Sequence, residues 1–211
     1  MDSLDSIAHP PNGALRSPAA QRNSAAIFRV LATRLPAAGA VLEIASGTGE
    51  HAVAFACALP GVTWTPSDAS SEARTSVAAW RAKADAPNLR PPLAVDCLDA
   101  STWPQDRFDA VFCANMTHIS PWAATEGLME LTGRALRRPG GLLALYGPYR
   151  EGDAPLAPSN AAFDDSLKAR NPEWGLRERD AVEALARTHG LFATDRIEMP
   201  ANNLMLLFRR A

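Results

Sequence analysis

Two glycines and a carboxylate stand close together in the first third of the chain. Residues 41–45 form a short apolar run that is predicted as a strand, Gly47 and Gly49 follow in a turn, and a helical pattern comes next. This order is typical of a nucleoside-binding loop at the carboxyl end of a parallel strand, because a ligand can approach backbone that carries no Cβ. Glu43 lies inside the apolar run and needs a cationic or hydrogen-bonding partner. The ammonium group of an amino-acid-like ligand would be such a partner.

Two further carboxylates follow later predicted strands. Asp68 comes about twenty residues after the glycines, which is the spacing of a ribose-binding acid. Asp96 could accept a hydrogen bond from an adenine amino group, or it could cap a helix. The loop lacks the third glycine of the dinucleotide fingerprint and the Gly-Lys-Ser/Thr of a phosphate-binding loop, and few basic residues flank it. The acidic set therefore favours a ligand with positive charge and hydroxyl groups, and S-adenosylmethionine fits better than NAD.

The elements that must position these residues alternate between strands and helices and end in a hairpin. This pattern predicts one α/β domain over residues 1–211, with a Rossmann-like, doubly wound sheet of seven strands. The sheet is expected to be mostly parallel, with one antiparallel strand from the C-terminal hairpin. The predicted strands are 41–45, 62–66, 93–95, 108–114, 142–146, 192–199 and 204–209, and the predicted helices are a first one ending before Pro36, then 50–59, 71–84, 121–138 and 178–189.

Two segments fall outside this alternation. Residues 1–20 are rich in Pro, Ser, Ala and Asn and are predicted to form a loop. Residues 147–177 are long for a strand-to-helix connection and include a predicted helical turn at 161–170. Such a length is typical of a lid that closes on a small acceptor. The alternative is a stiff surface loop held by a contact between Arg177 and Asp164.

Composition excludes several other classes. The chain has 211 residues, 47% of them hydrophobic and 21% charged, with a net charge of −2, so nothing indicates binding to nucleic acid or to an anionic membrane. Cys57, Cys97 and Cys113 are too few and too scattered for a disulfide framework or a zinc site, and no metal is expected. The first residues include Asp2 and Asp5 and lack an apolar core, and no apolar run reaches membrane-spanning length. The expectation is a cytoplasmic protein with a small-molecule partner, and the oligomeric state stays open.

The chain resembles the class I S-adenosylmethionine-dependent methyltransferases. Residues 43–49 resemble the first motif of that superfamily, Asp68 resembles its ribose acid, and residues 96–98 resemble its adenine-side motif. Ala45 and Ser46 are a small departure, since many members have Gly followed by Cys, Ser or Ala there. More narrowly, the chain is similar to a family of small methyltransferase-like proteins of unknown function, through residues 17–23, 115–122, 146–149, 159–164, 173–177 and 199–203. The resemblance covers nearly the full length.

The residue types, their positions after the strands and the resemblance together imply two sets of site residues. The expected cofactor-binding residues are Glu43, Ala45, Ser46, Gly47, Thr48, Gly49, His51, Asp68, Ala69, Asp96, Cys97, Leu98, Asn115 and Met116. The expected acceptor-binding residues are Arg22, Asn23, His118, Trp122, Tyr146, Tyr149, Asn160, Phe163, Trp174, Arg177 and Asn202.

His118 is the candidate catalytic residue, because a neutral imidazole near the transferred methyl can take a proton from a nucleophile. The alternative is a hydrogen-bonded histidine that shapes the pocket. Alternatives also stay open for Glu43, as a salt bridge to a neighbouring helix, and for Asn23, as the cap of the first helix.

The predicted reaction is in-line displacement of a methyl group from S-adenosylmethionine to a small-molecule acceptor. Three other functions compete with it. They are a protein methyltransferase, a non-catalytic cofactor-binding or scaffold protein, and a nicotinamide-dependent reductase. The missing third glycine and the absence of a Tyr-x-x-x-Lys pair count against the reductase.

Overall fold

A mixed sheet of six strands forms the centre of the computed structural model, which describes residues 7–8 and 13–211. The strands are β1 (Gly39–Ile44), β2 (Val62–Pro66), β3 (Ala110–Ala114), β4 (Leu142–Gly147), β5 (Leu191–Met199) and β6 (Asn203–Arg210). Their order in the sheet is β2-β1-β3-β4-β6-β5. The first four pair in parallel, whereas β6 runs antiparallel to both β4 and β5. The predicted α/β sheet with an antiparallel C-terminal hairpin is therefore confirmed.

Helices cover both faces of this sheet. They are α1 (Pro18–Arg34), α2 (Glu50–Ala58), α3 (Ser71–Arg81), α4 (Trp122–Ala135), α5 (Pro158–Arg170) and α6 (Arg179–Thr188), with a 3₁₀ turn at Ala100–Thr102. Alternate strand residues point to opposite faces, because the side-chain period of a strand is two residues. One apolar cluster joins the sheet to α1 and α2 through Ile27 and Phe55. The other joins it to α4 and α6 through Leu128 and Val182.

The predicted seventh strand, at residues 93–95, is not confirmed in the described part of the chain. Leu89 and Leu93 instead form single parallel bridges to Trp64 and Ser67 of the β2 region. Two prolines separate the bridges at residues 91 and 92. Because proline has no N–H to donate, a continuous ladder with β2 is interrupted there.

The predicted N-terminal loop at residues 1–20 ends earlier than expected, because its last three residues belong to α1. α1 begins at Pro18, where a proline at the first helical position costs no hydrogen bond. Ser17 caps this helix by accepting a hydrogen bond from the N–H of Ala20 at 3.3 Å. The alternative that Asn23 caps the helix is therefore wrong, since Asn23 lies inside α1. The predicted loop at residues 1–6 and 9–12 lies outside the described residues.

The 147–177 insertion is an ordered part of the fold. It contains α5, which has 13 residues and is longer than the predicted turn at 161–170. Among the described residues no helix is long and apolar enough to cross a membrane.

Candidate functional site

The glycine loop after β1 has an unusual backbone. Ala45, Gly47 and Gly49 all adopt left-handed conformations, with φ of 55°, 56° and 89°. A Cβ on Gly49 would lie 2.9 Å from the backbone of Val77, so this glycine allows α3 to pack against the loop. A Cβ on Gly47 would meet no atom within 4 Å. The Gly47 side of the loop is thus open and free of side chain.

Asp68 is held directly beside this open loop. Its Oδ2 accepts a hydrogen bond from the N–H of Gly47 at 2.9 Å, and its Oδ1 accepts one from the N–H of Ser70 at 2.9 Å. The side chain of Ser46 also accepts a hydrogen bond from the N–H of Ser67, which ties the two strand ends together. A carboxylate has about four acceptor positions, so Asp68 can still bind hydroxyl groups. The sequence places Asp68 and Gly47 twenty-one positions apart, and the fold joins them.

Glu43 is a buried carboxyl group on the same strand. Only 2% of its surface is exposed, and its Oε2 accepts a hydrogen bond from Nε1 of Trp64 at 2.7 Å. Burial raises the pKa of Glu43 from 4.5 to about 8. The alternative of a salt bridge to a neighbouring helix is wrong, because the partner is an indole on β2 rather than a cation. Glu43 is therefore a neutral acid near pH 7, and a cation beside it would favour ionisation.

The start of α1 is fastened to the glycine loop by a residue that the sequence analysis missed. Glu50 accepts hydrogen bonds from the N–H of Ser17 at 2.6 Å, from the side chain of Gln21 at 2.9 Å and from the hydroxyl of Thr48 at 3.0 Å. A carboxylate in the first turn of a helix is also favoured by the helix dipole. The position of Glu50 directly after Gly49 was the available signal. Through these contacts Glu50 brings the start of α1 to the glycine loop.

Three of the predicted residues meet where α1 crosses the sheet. The side chain of Asn23 pairs with Nε2 of His51 at 2.7 Å, and it also contacts the hydroxyl of Tyr146. Burial lowers the pKa of His51 to about 4, so this imidazole is neutral at pH 7. Asn23 thus links an expected cofactor residue to an expected acceptor residue. Arg22 is exposed on the same helix.

Residues 96–98, the predicted adenine-binding segment, form a compact turn. Oδ1 of Asp96 accepts a hydrogen bond from the N–H of Leu98 at 2.8 Å, whereas Asp99 caps the following 3₁₀ turn. The helix-cap alternative for Asp96 is therefore wrong. Cys97 is buried, and a Cβ on Gly127 of α4 would overlap its carbonyl oxygen. Leu98 stays 58% exposed, and Ala69 is exposed too. An exposed apolar side chain beside an Asp turn can cover a flat base.

The loop after β3 contributes a second non-glycine residue with a left-handed backbone, after Ala45. Asn115 has a φ of 61°, and its N–H donates to the carbonyl oxygen of Tyr146 at 2.8 Å. Met116 is buried behind it. The hydroxyls of Thr117 and Tyr149 lie 3.4 Å apart. The ends of β3 and β4 are thus joined at the same edge as the glycine loop.

His118 is fully buried in this loop. Its Nδ1 accepts a hydrogen bond from the N–H of Arg177 at 3.4 Å, and its ring packs edge-on against Tyr149 with 4.6 Å between centroids. Nε2 has no hydrogen-bond partner among the described residues, and a Cβ on Gly147 would overlap it. Burial lowers the pKa of His118 to about 3, far below the value that suits a general base at neutral pH. This environment favours the role of shaping the pocket, and the catalytic role stays a prediction.

An ionic cluster around Asp164 holds the insertion together internally. Asp164 accepts hydrogen bonds from Arg150 at 2.6 Å, Lys168 at 2.7 Å and the N–H of Leu176 at 2.8 Å. The contact of Asp164 with Arg177 that the stiff-loop alternative required is absent among the described residues, since the guanidinium of Arg177 donates to Thr117 and Ser120 instead.

Arg177 fastens the end of the insertion to the loop after β3. Its guanidinium donates to the carbonyl oxygens of Thr117 at 2.8 Å and Ser120 at 2.7 Å, and it lies 5.7 Å from the ring centre of Trp122. Most of the donors of Arg177 are thus used within the protein. We conclude that this arginine braces the loop that carries His118.

A cleft of about 320 Å³ brings together three of the predicted acceptor residues. It is lined by Tyr149, Asn160 and Asn202, together with residues of the insertion and of the β5–β6 hairpin. The amide of Asn160 donates to the carbonyl oxygen of Asn202 at 2.9 Å, which joins α5 to the hairpin.

The other eight expected acceptor residues do not line this cleft. Phe163 is half-buried on α5, and the ring of Trp174 lies under the guanidinium of Arg170 at 5.0 Å. Within the described residues no cluster of three or more His, Cys, Asp or Glu side chains could hold a metal ion.

The fold has many solved counterparts. An O-methyltransferase family protein from Burkholderia thailandensis matches with a TM-score of 0.76 and 17% identity, over 89% of this chain and 56% of the other. The S-adenosylmethionine-dependent methyltransferase SibL matches with a TM-score of 0.75 and 21% identity, over 90% and 55%. A putative methyltransferase in complex with the Trm112 methyltransferase activator of Haloferax volcanii matches with a TM-score of 0.70 and 17% identity, over 90% and 91%. The chain spans about half the length of the first two proteins.

The chain has the fold of the class I S-adenosylmethionine-dependent methyltransferases. It belongs to the family described as Protein of unknown function (DUF938), whose sequence model matches residues 15–210.

Proposed function

We propose that this chain is an S-adenosylmethionine-dependent methyltransferase that acts on a small-molecule acceptor. The observation that carries the proposal is the pairing of the open Gly47 backbone with the Asp68 carboxylate. Together they form a backbone surface without side chains, beside a carboxylate that can accept hydrogen bonds from the hydroxyl groups of a ligand. This surface lies at the edge where ligands bind in open α/β sheets. The likeness to methyltransferase folds supports the same conclusion.

Each acidic group of the site suits one part of the cofactor. Asp68 would accept the ribose hydroxyls, and Asp96 with Leu98 would bind the adenine. Glu43 is a buried acid with side-chain hydrogen bonds to Trp64 and Ser46, and because a carboxylate has about four acceptor positions, it has capacity left for an ammonium group. The remaining proposed cofactor residues are Ala45, Ser46, Gly47, Thr48, Gly49, His51, Ala69, Cys97, Asn115 and Met116. S-adenosylmethionine, when bound, supplies an activated methyl group.

The acceptor is proposed to enter the cleft beside Tyr149, Asn160 and Asn202. Displacement at an activated methyl needs alignment and exclusion of water more than it needs a strong base. The insertion at 147–177 suits that task, since Arg177 at its end is hydrogen-bonded to the loop after β3. His118 would support this wall as a neutral ring.

Calorimetric titration with S-adenosylmethionine, S-adenosylhomocysteine and NADH tests the cofactor. We expect micromolar binding of the first two and none of NADH. Asp68→Asn keeps the shape but removes the charge, and it should weaken binding by about tenfold or more because the hydrogen bonds to ribose lose a charged acceptor. Asp85→Asn is the matched control, because Asp85 is exposed and lies away from the site. Equal affinity in wild type and Asp68→Asn would refute the ribose assignment.

Transfer of a labelled methyl group to fractionated extracts tests the reaction. Label in the small-molecule fraction would support the proposal, whereas label in protein would favour a protein methyltransferase. Binding without transfer to any fraction would favour the non-catalytic alternative.

A bulky substitution then tests the acceptor cleft. Ala154→Trp puts a large ring into the cleft without removing a side-chain hydrogen bond, so transfer should fall while cofactor affinity stays. Ala162→Trp is the control, since Ala162 is exposed on α5 and does not line the cleft. Equal transfer rates in both variants would place the acceptor elsewhere.

A further inference from the structure

A second cleft lies at the opposite edge of the sheet from the glycine loop. It has a volume of about 1000 Å³ and is formed by the ends of α4 and α6, the turn before β4 and the end of β6. Five arginines line it, but Glu130 is its one carboxylate residue. The whole chain carries a net charge of −2, so this concentration of positive charge is local. We refer to it as the basic cleft.

Two of the five arginines are neutralised within the protein. Arg134 pairs with Glu130 and lies over the ring of Trp103, and Arg137 lies 3.4 Å from Asp109. These ion pairs involve Glu130, the one carboxylate residue that lines the cleft, and Asp109. The positive charge of the other three arginines is therefore not compensated by either of these groups.

Arg107 and Arg138 are exposed at the mouth of the basic cleft. Neither side chain makes a hydrogen bond or an ion pair within the described part of the chain. Long cationic side chains without a partner are common on surfaces. Here, however, both line the same cleft as a third arginine, Arg210, which is buried.

Arg210 is the buried member of the set. Its surface is only 8% exposed, its Nη1 donates to the carbonyl oxygen of His189 at the end of α6, and its buried Nε has no acceptor among the described residues. A Cβ on Gly190 would overlap the guanidinium, and Gly190 also has a φ of 70°. The backbone thus leaves room for a guanidinium that lines the cleft with part of its hydrogen-bonding capacity unused. The guanidinium of Arg210 is buried and fixed, whereas those of Arg107 and Arg138 are exposed, and together their N–H donors match the oxygens of a phosphate group.

We propose that the basic cleft binds the phosphate groups of a small anionic molecule through Arg107, Arg138 and Arg210. Three arginines without an ion pair among the described residues suit a ligand with two or three negative charges, and a concave site suits a compact anion rather than an extended polymer. The site lies at the amino-terminal edge of β3 and β4, so it is separate from the proposed methyl-transfer site and does not depend on it.

Inorganic pyrophosphate is the probe for this site. Calorimetry on the full chain should detect one site, with an affinity that falls as ionic strength rises. Arg107→Ala combined with Arg138→Ala should weaken pyrophosphate binding by about tenfold or more, because two charged contacts are lost. Both residues are exposed, so this double variant should fold as the wild type does, which circular dichroism checks.

A matched control distinguishes the loss of a specific binding site from the loss of overall positive charge. Arg29→Ala combined with Arg90→Ala removes the same charge from two exposed arginines outside the cleft, and it should leave binding within about twofold. Arg210→Lys keeps the positive charge but loses the paired N–H donors of the guanidinium, and it should also weaken the binding of pyrophosphate.

Three results would overturn the proposal. They are the absence of pyrophosphate binding at millimolar concentration, equal losses in the two double variants, and binding of a short single-stranded RNA without binding of pyrophosphate. Titration of S-adenosylmethionine in the same variants reports separately on the proposed function.

Discussion

The buried carboxyl group of Glu43 makes a quantitative prediction about stability and pH. Burial raises its pKa from 4.5 to about 8 in the folded protein, so the folded state binds more protons than the unfolded state between these values. The free energy of unfolding must therefore fall as the pH rises through this range. At about 1.4 kcal/mol per pKa unit, the loss is about 3 kcal/mol by pH 7 and about 5 kcal/mol above pH 8.

Glu43→Gln isolates this contribution. A glutamine oxygen can still accept the hydrogen bond from Trp64, but it has no charge to bury. The variant and the wild type should have similar stability near pH 5, and the variant should become more stable by about 5 kcal/mol above pH 8. Chemical denaturation at a series of pH values measures the difference. His51 and His118, whose lowered pKa values affect stability in acid, contribute equally to both proteins and cancel.

Glu126→Gln provides the control, because Glu126 is exposed on α4. Its stability difference from the wild type should not change with pH. A pH-independent difference for Glu43→Gln as well would refute the reasoning, since it would mean that Glu43 ionises as readily in the fold as in the unfolded chain.

Three further substitutions test the loops around the site by denaturation. Ala45→Gly should stabilise the fold by about 0.5–1 kcal/mol, because the strain of a left-handed alanine is removed and outweighs the added entropy of the unfolded chain. The control Ala54→Gly, in α2, should destabilise the fold by about 1 kcal/mol. A loss of stability in Ala45→Gly would contradict this reasoning. Gly127→Ala should lower the free energy of unfolding by about 1–3 kcal/mol despite better helix propensity, since the new Cβ overlaps the carbonyl oxygen of Cys97. A higher free energy of unfolding would show that α4 can shift away from Cys97 at no cost. His118→Ala should cost about 3 kcal/mol by leaving a cavity; wild-type stability combined with about a 10²-fold loss of transfer would restore the role of general base.

Local patterns along the chain were enough to predict much of the architecture. The alternation of strand and helix patterns, the glycine turn after β1 and the C-terminal hairpin all depend on residues close in sequence. Gly47 and Asp68, two of the predicted cofactor residues, could be placed together for the same reason, because the carboxyl ends of parallel strands share one edge of a sheet. Their common edge needed no knowledge of side-chain packing.

The sheet count shows where local patterns fail. The stretch at 93–95 has strand-like residues, yet prolines just before it prevent a continuous ladder with β2. The helical turn predicted at 161–170 extends to Pro158, since a proline is tolerated in the first turn of a helix.

Only the tertiary structure decided the environment of each side chain. Whether Glu43 meets a cation or the indole of Trp64, and whether His118 faces solvent or Gly147, depends on contacts between residues far apart in sequence. The basic cleft is the clearest case, because Arg107, Arg138 and Arg210 come from three separate segments that meet only when the sheet forms. Residue type and spacing thus determined which groups reach the edge of the sheet, whereas burial and long-range packing determined their charge, their partners and the chemistry open to them.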